Sequence, residues 1–318
     1  MPPLKPLISY LLTVFNKEVE LPETLACLRN QSGLEGAHIE FVFADDCSTD
    51  QSVEYLKAQS RSDPRIKIIT NQTNCGPSVR INQAAEHANG SYFLPMDADD
   101  FLPLNGTRML LDVSGDKGAP VVFGGSQRGF VPDGQIDQNV MVTVSHDPLA
   151  YCARKKIVHM GFLSDAALWN RVGGADERIF IQDQSLALRL SAEASRLAYI
   201  HDTTYWLRPR DGNNLSNNTD QQHHDRFLSA LYQLENTDIS LEAKQYLVNQ
   251  VISARWKLVR DRGKFGSLLT EQFLSYVTNR LLPHMSIPKS KLKKYEYQML
   301  HIKGVRRTPQ SLHHGMIN

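Results

Sequence analysis

Three carboxylates stand within four residues at Asp97-Ala98-Asp99-Asp100, directly after the apolar run Ser91-Tyr-Phe-Leu-Pro-Met96. Packed that closely, their charges repel one another unless something positive lies among them. Oxygen-only ligands of this kind suit a hard divalent ion, Mg²⁺ or Mn²⁺. Mg²⁺ typically takes one or two carboxylates together with the phosphates of a substrate. An EF-hand calcium loop is excluded, since the sixth position lacks glycine and the twelfth lacks glutamate. The plain alternative is an exposed acidic turn capping a following helix. Polar clusters also follow other apolar runs: Thr13 and Asn16, then Asp45-Asp46-Cys47-Ser48-Thr49-Asp50, then Asn71 to Gly76 leading into Arg80. Each alone reads as an ordinary turn, and Ser48 and Asp50 read best as helix caps.

The spacing of apolar residues predicts what positions these groups. Residues 8–14, 39–44, 65–69 and 91–96 read as strands, and 21–31, 50–59 and 77–87 as helices between them. Strand and helix alternating in units of about thirty residues mean parallel strands joined by right-handed crossovers, so the fold class is an open α/β sheet. In such a sheet ligands sit outside the carboxyl ends of the strands, where all four polar clusters fall. Beyond residue 105 the pattern is less regular. Residues 119–123, 140–144 and 197–201 read as strands, 164–172 and 184–194 as helices, and 124–139 and 208–220 as loops. From about residue 222 the spacing is helical, with apolar stripes at Phe227, Leu228, Leu231 and Leu234, at Leu241, Tyr246, Leu247, Val251 and Leu258, and at Leu268, Leu269, Phe273, Tyr276 and Val277.

Composition narrows the class. The chain of 318 residues has 35 Lys and Arg against 34 Asp and Glu, a net charge of +1, which offers no argument for an overall polyanion-binding surface and argues against nucleic acid as main partner. No apolar run approaches the roughly 18–20 residues of a membrane-spanning helix. Residues 1–15 have the outline of a secretory signal. They run into Asn16-Lys17-Glu18 without a small-residue cleavage site, and a first buried strand explains them as well. Cys27, Cys47, Cys75 and Cys152 have no metal-ligand spacing and read as reduced thiols of a cytoplasmic protein. The tail from Lys289 is rich in Lys and Arg. It reads as solvated and partly disordered, or as a peripheral contact with the anionic inner face of a membrane.

The series Thr13-Val-Phe-Asn16, Asp45-Asp-Cys-Ser-Thr-Asp50, Gly76-Pro-Ser-Val-Arg80-Ile-Asn82 and Asp97-Ala-Asp-Asp100 resembles the nucleotide-sugar-binding half of glycosyltransferase family 2, whose members have the GT-A fold. Farther on, Leu168-Trp-Asn-Arg-Val-Gly-Gly-Ala-Asp-Glu177 and Gln182-Asp183-Gln-Ser-Leu-Ala-Leu-Arg-Leu190 resemble the family's acceptor-side segment with its catalytic acid. The resemblance spans residues 7–210. It implies a GT-A domain, Rossmann-like with a mainly parallel sheet flanked by helices, over 1–220, followed by a helical region with a basic tail over 221–318. It implies an inverting, metal-assisted transfer of a sugar from a nucleotide-diphosphate donor, UDP-sugar favoured, to a hydroxyl of a glycan or lipid-linked acceptor. Thr13 and Asp46 would lie against uracil and ribose with Asn16 and Asp45 beside them, and Arg80 would approach the nucleotide. Asp97, Ala98 and Asp99 would meet the donor and its Mn²⁺ or Mg²⁺, with Asp100 an alternative ligand, and Asp183 would be the general base. Three positions depart from the family pattern: Phe15 for tyrosine, Cys47 for glycine, and Gln182 where an acid commonly precedes the base.

Other residues stay ambiguous from the sequence. His201 could be a third metal ligand or a hydrogen-bonded structural ring. Trp169 and Trp206 could stack on sugars or fill the core. Arg208 and Arg210 could contact diphosphate or acceptor from a loop that closes as a lid. His223, His224, His313 and His314 read as solvated. A sugar nucleotidyltransferase would need a glycine-rich phosphate loop where Thr13-Val-Phe-Asn16 stands, and a dinucleotide-dependent oxidoreductase would need GxGxxG there. A GT-A-like binding or scaffolding module without catalysis stays open because of Gln182, and the C-terminal helices leave room for an oligomer.

Overall fold

The computed structural model describes residues 5–130, 134–209, 217–236, 238–263, 270–281 and 288–311. In chain order the elements are β1 (Leu7–Val14), α1 (Leu21–Arg29), β2 (His38–Asp45), α2 (Ser52–Ser60), β3 (Ile66–Ile69), α3 (Pro77–Glu86), β4 (Tyr92–Asp97), α4 (Gly106–Lys117), β5 (Val121–Arg128) and β6 (Val142–Ser145). They continue with α5 (Pro148–Lys155), β7 (Leu163–Asp165), α6 (Ala166–Val172), α7 (Gln182–Glu193), β8 (Leu197–Leu207), α8 (Thr219–Leu234), α9 (Leu241–Gly263), α10 (Glu271–Leu281) and α11 (Lys289–Leu300). The chain forms two compact units. One holds residues to His146, His159–Ala175 and Glu193–Pro209; the other holds Asp147–Val158, Asp176–Ala192 and the chain from Arg210 onward.

The first unit is built on a sheet in the order β3-β2-β1-β4-β7-β5-β8-β6. β1 to β4 are mutually parallel, β7 runs antiparallel to β4 and β5, and β6 runs antiparallel to β8. β1 and β2 are buried along nearly their whole length, as strands covered on both faces must be, which explains why they read as unbroken apolar runs. The chain winds from β1 out to β3, then returns to place β4 on the other side of β1. That reversal is the switch point at which parallel sheets open a crevice.

Several expectations past residue 105 need correction. β5 runs to Arg128, into the loop predicted from 124, and β8 runs to Leu207, past its predicted end at 201 and up to the loop predicted from 208, because they pair with each other through irregularities around Gly125. The helix expected from residue 164 begins with the strand β7, only three residues long and too short to show a period. Helices α4 and α5 were not among the elements predicted from the sequence.

At the amino ends of the strands lies a buried polar network. The Glu40 carboxylate accepts from Ser9 Oγ at 2.6 Å and from the Asn89 amide at 2.6 Å, and pairs with Lys67 at 2.7 Å. Ser9 Oγ in turn accepts from the Gly90 amide at 2.8 Å. Gly90 permits this closeness, since a Cβ there would stand 2.8 Å from the Ser9 nitrogen.

In the second unit the apolar stripes are buried in part: Phe227, Leu228 and Leu231 on α8 and Leu247, Val251 and Leu258 on α9 are buried, whereas Leu234, Tyr246, Phe273, Tyr276 and Val277 are half-buried and Leu241 is exposed. The chain after α11, expected as a solvated tail, instead packs down. Gln221 accepts from the Arg306 amide at 2.6 Å, Arg306 lies 4.4 Å from the Phe180 ring, and Thr308 Oγ1 donates to the Glu177 carbonyl. His224 is also buried rather than solvated, with Nδ1 at 2.7 Å from Asp225, and His223 bonds Asp261. Leu268, Leu269, His313 and His314 lie outside the described residues. No described helix is long and apolar enough to cross a membrane.

Burial raises the Glu40 carboxyl, but Lys67, Ser9 and Asn89 outweigh it and hold it below its usual value. Its contribution is therefore present above the unfolded value of about 4.3 and lost as pH falls through the lower folded one. Glu40→Ala is expected to destabilise the protein by about 1–3 kcal/mol at neutral pH. The loss should shrink toward pH 3, as measured by denaturant midpoints across pH.

Candidate functional site

Strand register brings the first polar groups into line. Thr13 sits opposite Ala44 on one side and Asp97 on the other, and Val14 sits opposite Asp45. Thr13 Oγ1 donates to Asp97 Oδ1 at 3.3 Å, and the Asp46 amide extends the ladder to the Val14 carbonyl at 2.7 Å. Thr13, Asp45, Asp46 and Asp97 thus share one edge of the sheet across β1, β2 and β4.

The three clustered aspartates solve their repulsion separately. Asp100 turns inward, accepting from Tyr205 Oη at 2.7 Å and from the Arg208 amide at 2.8 Å. Burial, then Asp99 and Asp97, push its carboxyl well above the usual range. Tyr205 is itself fully buried, and burial and these carboxylates raise its phenol well above the normal value, so it stays protonated and donates. Gly161 makes room for it: φ is +72°, and a Cβ would stand 2.0 Å from the Tyr205 ring. Asp99 pairs with Lys17 Nζ at 2.6 Å. Burial draws the Lys17 ammonium down, but Asp99, Glu20 and Asp97 outweigh it and raise it on balance. Asp100 is therefore consumed as a structural anchor and drops out as the alternative metal ligand. Asp97 and Asp99, which flank the buried Ala98, remain at the site.

The loops around these groups are tied together. Asn16, at φ +52°, accepts from the Thr49 amide at 2.8 Å, while its own amide donates to Ser48 Oγ at 2.9 Å. Cys47 sits at φ +67°, in the left-handed region where a glycine costs nothing and a side chain costs roughly 1–2 kcal/mol. That geometry accounts for the glycine of the pattern Cys47 departs from. Asp45 accepts from the Ser48 amide at 3.1 Å and borders an open cleft of about 400 Å³ with Asn71. Asp46 accepts from the Cys75 and Gly76 amides at 2.8 and 2.9 Å and from Arg80 Nε at 2.8 Å. Arg80 also donates to the Thr73 carbonyl and to Gln83. Asp46 and Arg80 are thus turned to one another and shape the loop Asn71 to Gly76, rather than pointing outward as free ligands.

The remaining candidates divide. Arg208 joins the site: Nε donates to the Asp99 carbonyl at 2.8 Å, Nη1 to Glu23 at 2.7 Å, and its guanidinium lies 4.5 Å from the Phe101 ring. Arg210 lies outside the described residues. Trp169 belongs to the core, 2% exposed and packed edge-on against Phe93 at 5.7 Å, which corrects its place as an acceptor contact. His201 does not join the aspartates, since its Nε2 bonds Thr143 Oγ1 at 2.7 Å on the β6–β8 edge. Among the described residues no three His, Cys, Asp or Glu side chains form a ready-made metal cage.

Asp183, half-buried in the first turn of α7, belongs to the second unit. Gln184 Nε2 donates to its Oδ1 at 3.1 Å. The start of α7 is held by Asp225, fully buried, which accepts from the Ile181 amide at 2.8 Å and from Gln221 at 2.9 Å. Asp225, Tyr205 and Lys17 escaped the sequence reading, since nothing in their local spacing marks them.

A family model described as "Glycosyl transferase family 2" matches residues 9–178. An uncharacterized glycosyltransferase of Haemophilus influenzae is 37% identical over 97 residues, 30% of this chain and 38% of its own. The poly(ribitol-phosphate) beta-N-acetylglucosaminyltransferase TarS of Staphylococcus aureus is 22% identical over 264 residues, 80% of this chain and 45% of its own. The matched segments thus span less than half of each relative. Among solved structures, residues 1–349 of S. aureus TarS in complex with UDP-GlcNAc superpose with a TM-score of 0.64 at 18% identity, covering 87% of this chain and 90% of that one. The mannosyltransferase PcManGT from Pyrobaculum calidifontis, in complex with GDP-Man and Mn²⁺, gives 0.59 at 13% identity, covering 95% and 89%.

Both members of the Asp46–Arg80 pair are only 6% exposed in their side chains. Arg80→Met strands a buried carboxylate and is expected to cost about 3–5 kcal/mol of stability. Urea denaturation would read it; a change under 1 kcal/mol contradicts the anchoring role.

Proposed function

The chain belongs to glycosyl transferase family 2 and has its GT-A fold, and we propose that it moves a sugar from a nucleotide-diphosphate donor, UDP-sugar favoured, to a hydroxyl of a glycan or lipid-linked acceptor. The observation that carries this reading is the register that lines up Thr13, Asp45 and Asp97 on three neighbouring parallel strands at the switch point. The proposal draws further support from the nucleotide-sugars bound by the two structural neighbours.

In this reading Thr13 and Asp45 border the nucleoside, and the Asp46–Arg80 pair holds the loop Asn71 to Gly76 against it. Asp97 and Asp99 suit Mn²⁺ or Mg²⁺, for two carboxylates completed by phosphates are what such ions take. Asp99 already faces the ammonium of Lys17, so the site is built for positive charge. A divalent ion bound there would neutralise the charge that develops on the departing diphosphate. Tyr205 and Arg208 keep Asp100 in place, so the turn carrying Asp97 and Asp99 is held from beneath.

Asp183 is assigned as general base on the strength of its motif. It takes the proton of the acceptor hydroxyl as that oxygen attacks the anomeric carbon from the face opposite the leaving group, and configuration inverts. With Gln182 beside it in place of an acid, Asp183 works as the single carboxylate of its motif. Peripheral membrane contact would fall to the lysines of α11. Two of them, Lys291 and Lys294, lie within reach of Glu271 at 3.7 and 3.5 Å.

Asp183→Asn is expected to lower transfer by about 10²–10⁴-fold while UDP affinity stays within twofold, by turnover assay and calorimetry. Substantial retained turnover removes the base assignment. Chelation by EDTA should abolish turnover and added Mn²⁺ or Mg²⁺ restore it. A thermal-shift panel of UDP-, GDP- and dTDP-sugars with Mn²⁺ identifies the donor, and stabilisation by none of them overturns the reading.

A further inference from the structure

A cavity of about 560 Å³ lies within the second unit, walled by α5, α8, α9 and α10. Its lining is strongly one-sided in charge. Arg154, Lys156, Arg226 and Lys257 all contribute to it, His223 joins them, and no Asp or Glu lines it. None of the four cations forms an ion pair with a carboxylate among the described residues. The protein bears a cost for this gathering. Burial, then Arg226 and Lys156, draw the Lys257 ammonium below its usual value against the pull of Asp261, and burial does the same to Arg226 against the pull of Asp183. A fold gains nothing by collecting like charges in a half-enclosed space unless an anion completes it.

A second observation points the same way. The buried Nδ1 of His223 has no hydrogen-bond partner, while Nε2 lies 3.2 Å from the Asp261 carboxylate and so carries the proton donated there. Nδ1 is left as an orphaned acceptor in the neutral ring, or as an orphaned donor in the protonated one. Burial outweighs Asp261 and lowers the His223 imidazole, so the neutral ring is favoured and its Nδ1 acceptor would be satisfied by a protonated oxygen of a phosphoryl group in the cavity.

The cavity also adjoins the assigned base. Arg226 Nε donates to Gln184 Oε1 at 3.3 Å, and Gln184 Nε2 donates to Asp183 Oδ1 at 3.1 Å. A group held on Arg226 is thus one side chain away from Asp183, on the same unit.

We propose that this cavity is an acceptor-side phosphate site, in which Arg154, Lys156, Arg226 and Lys257 grip a phosphoryl or phosphodiester group of the acceptor and so bring a neighbouring hydroxyl toward Asp183. The assignment of an acceptor role rests on the function proposed above; the binding of phosphate does not. Three or four close cations match the two to three negative charges of a phosphate or diphosphate, and they specify an acceptor that is itself phosphorylated rather than a neutral glycan.

The test measures binding without catalysis. The full chain is held in EDTA with saturating UDP, so that the nucleotide site is filled and no divalent ion bridges. Pyrophosphate, a glycerol-phosphate oligomer, and vesicles of phosphatidic acid in phosphatidylcholine are then titrated separately. Wild type should bind pyrophosphate and one of the other two, and the arm that binds identifies a soluble or a lipid-linked source. The double variant Lys156→Gln/Lys257→Gln should lose at least tenfold in affinity in that arm while its melting temperature holds or rises, because like-charge repulsion is relieved. UDP binding should be unchanged. Equal phosphate affinity in variant and wild type, or no phosphate binding by wild type at millimolar concentration, overturns the proposal. Failure of every nucleotide-sugar in the Mn²⁺ panel with phosphate binding intact would instead strike the nucleotide-sugar reading alone.

Discussion

Three carboxylates at the end of one strand cannot all be ionised, close together and unsupported, and the first unit is arranged around that constraint. Each aspartate has its own support. Asp100 is buried under a tyrosine hydroxyl and a backbone amide, Asp99 faces an ammonium, and Asp97 accepts from a threonine hydroxyl on the next strand. The supports come from widely separated stretches of chain: Lys17 follows β1, while Tyr205 and Arg208 lie on and just after β8. Their convergence needs β8 to run on to Leu207 and Phe101 to pair with Trp206. A turn held this firmly would present Asp97 and Asp99 to the proposed ion without further ordering, which lowers the entropic cost of binding.

The same logic governs the surrounding loops. Crevices at a switch point are lined by connections that have no ladder of their own, so side chains must supply the missing bonds. Asn16 ties the loop after β1 to the one after β2, and the Asp46–Arg80 pair ties β2 to the start of α3. Asn16 and Cys47 hold left-handed backbone to make these ties, a local strain tolerated where function sets the shape. A buried ion pair such as Asp46–Arg80 adds little net stability over an apolar one of equal volume, but it holds a loop in one conformation that apolar packing would leave freer.

The second unit poses the opposite electrostatic problem. Asp225 is a buried carboxylate fully met by the Ile181 amide, Gln221 and His224, and it fixes the start of α7. Close by, four cations line one cavity with no acid in its lining. Within one helical unit, then, one charge is met by direct hydrogen bonds, while a group of cations is met only by carboxylates outside the cavity lining. The first fixes a helix; the second suits the anion site proposed above.

How much of this was legible in the sequence depends on the range of the interaction. Residues 7–97 were readable because a parallel sheet buried on both faces leaves an apolar run at every strand, and because ligand groups follow those runs directly. The family motifs, the acidic cluster and the placement of Thr13, Asp45 and Asp97 at strand ends came from that local code. The uneven fates of Asp97, Asp99 and Asp100 did not, nor did the packing of Trp169 on Phe93, the choice of Thr143 as partner of His201, or the docking of the basic tail. Each depends on which distant side chain arrives beside it. Periodicity records which face of an element is buried; it carries no information about the partner that buries it, and charge compensation is decided entirely by the partner.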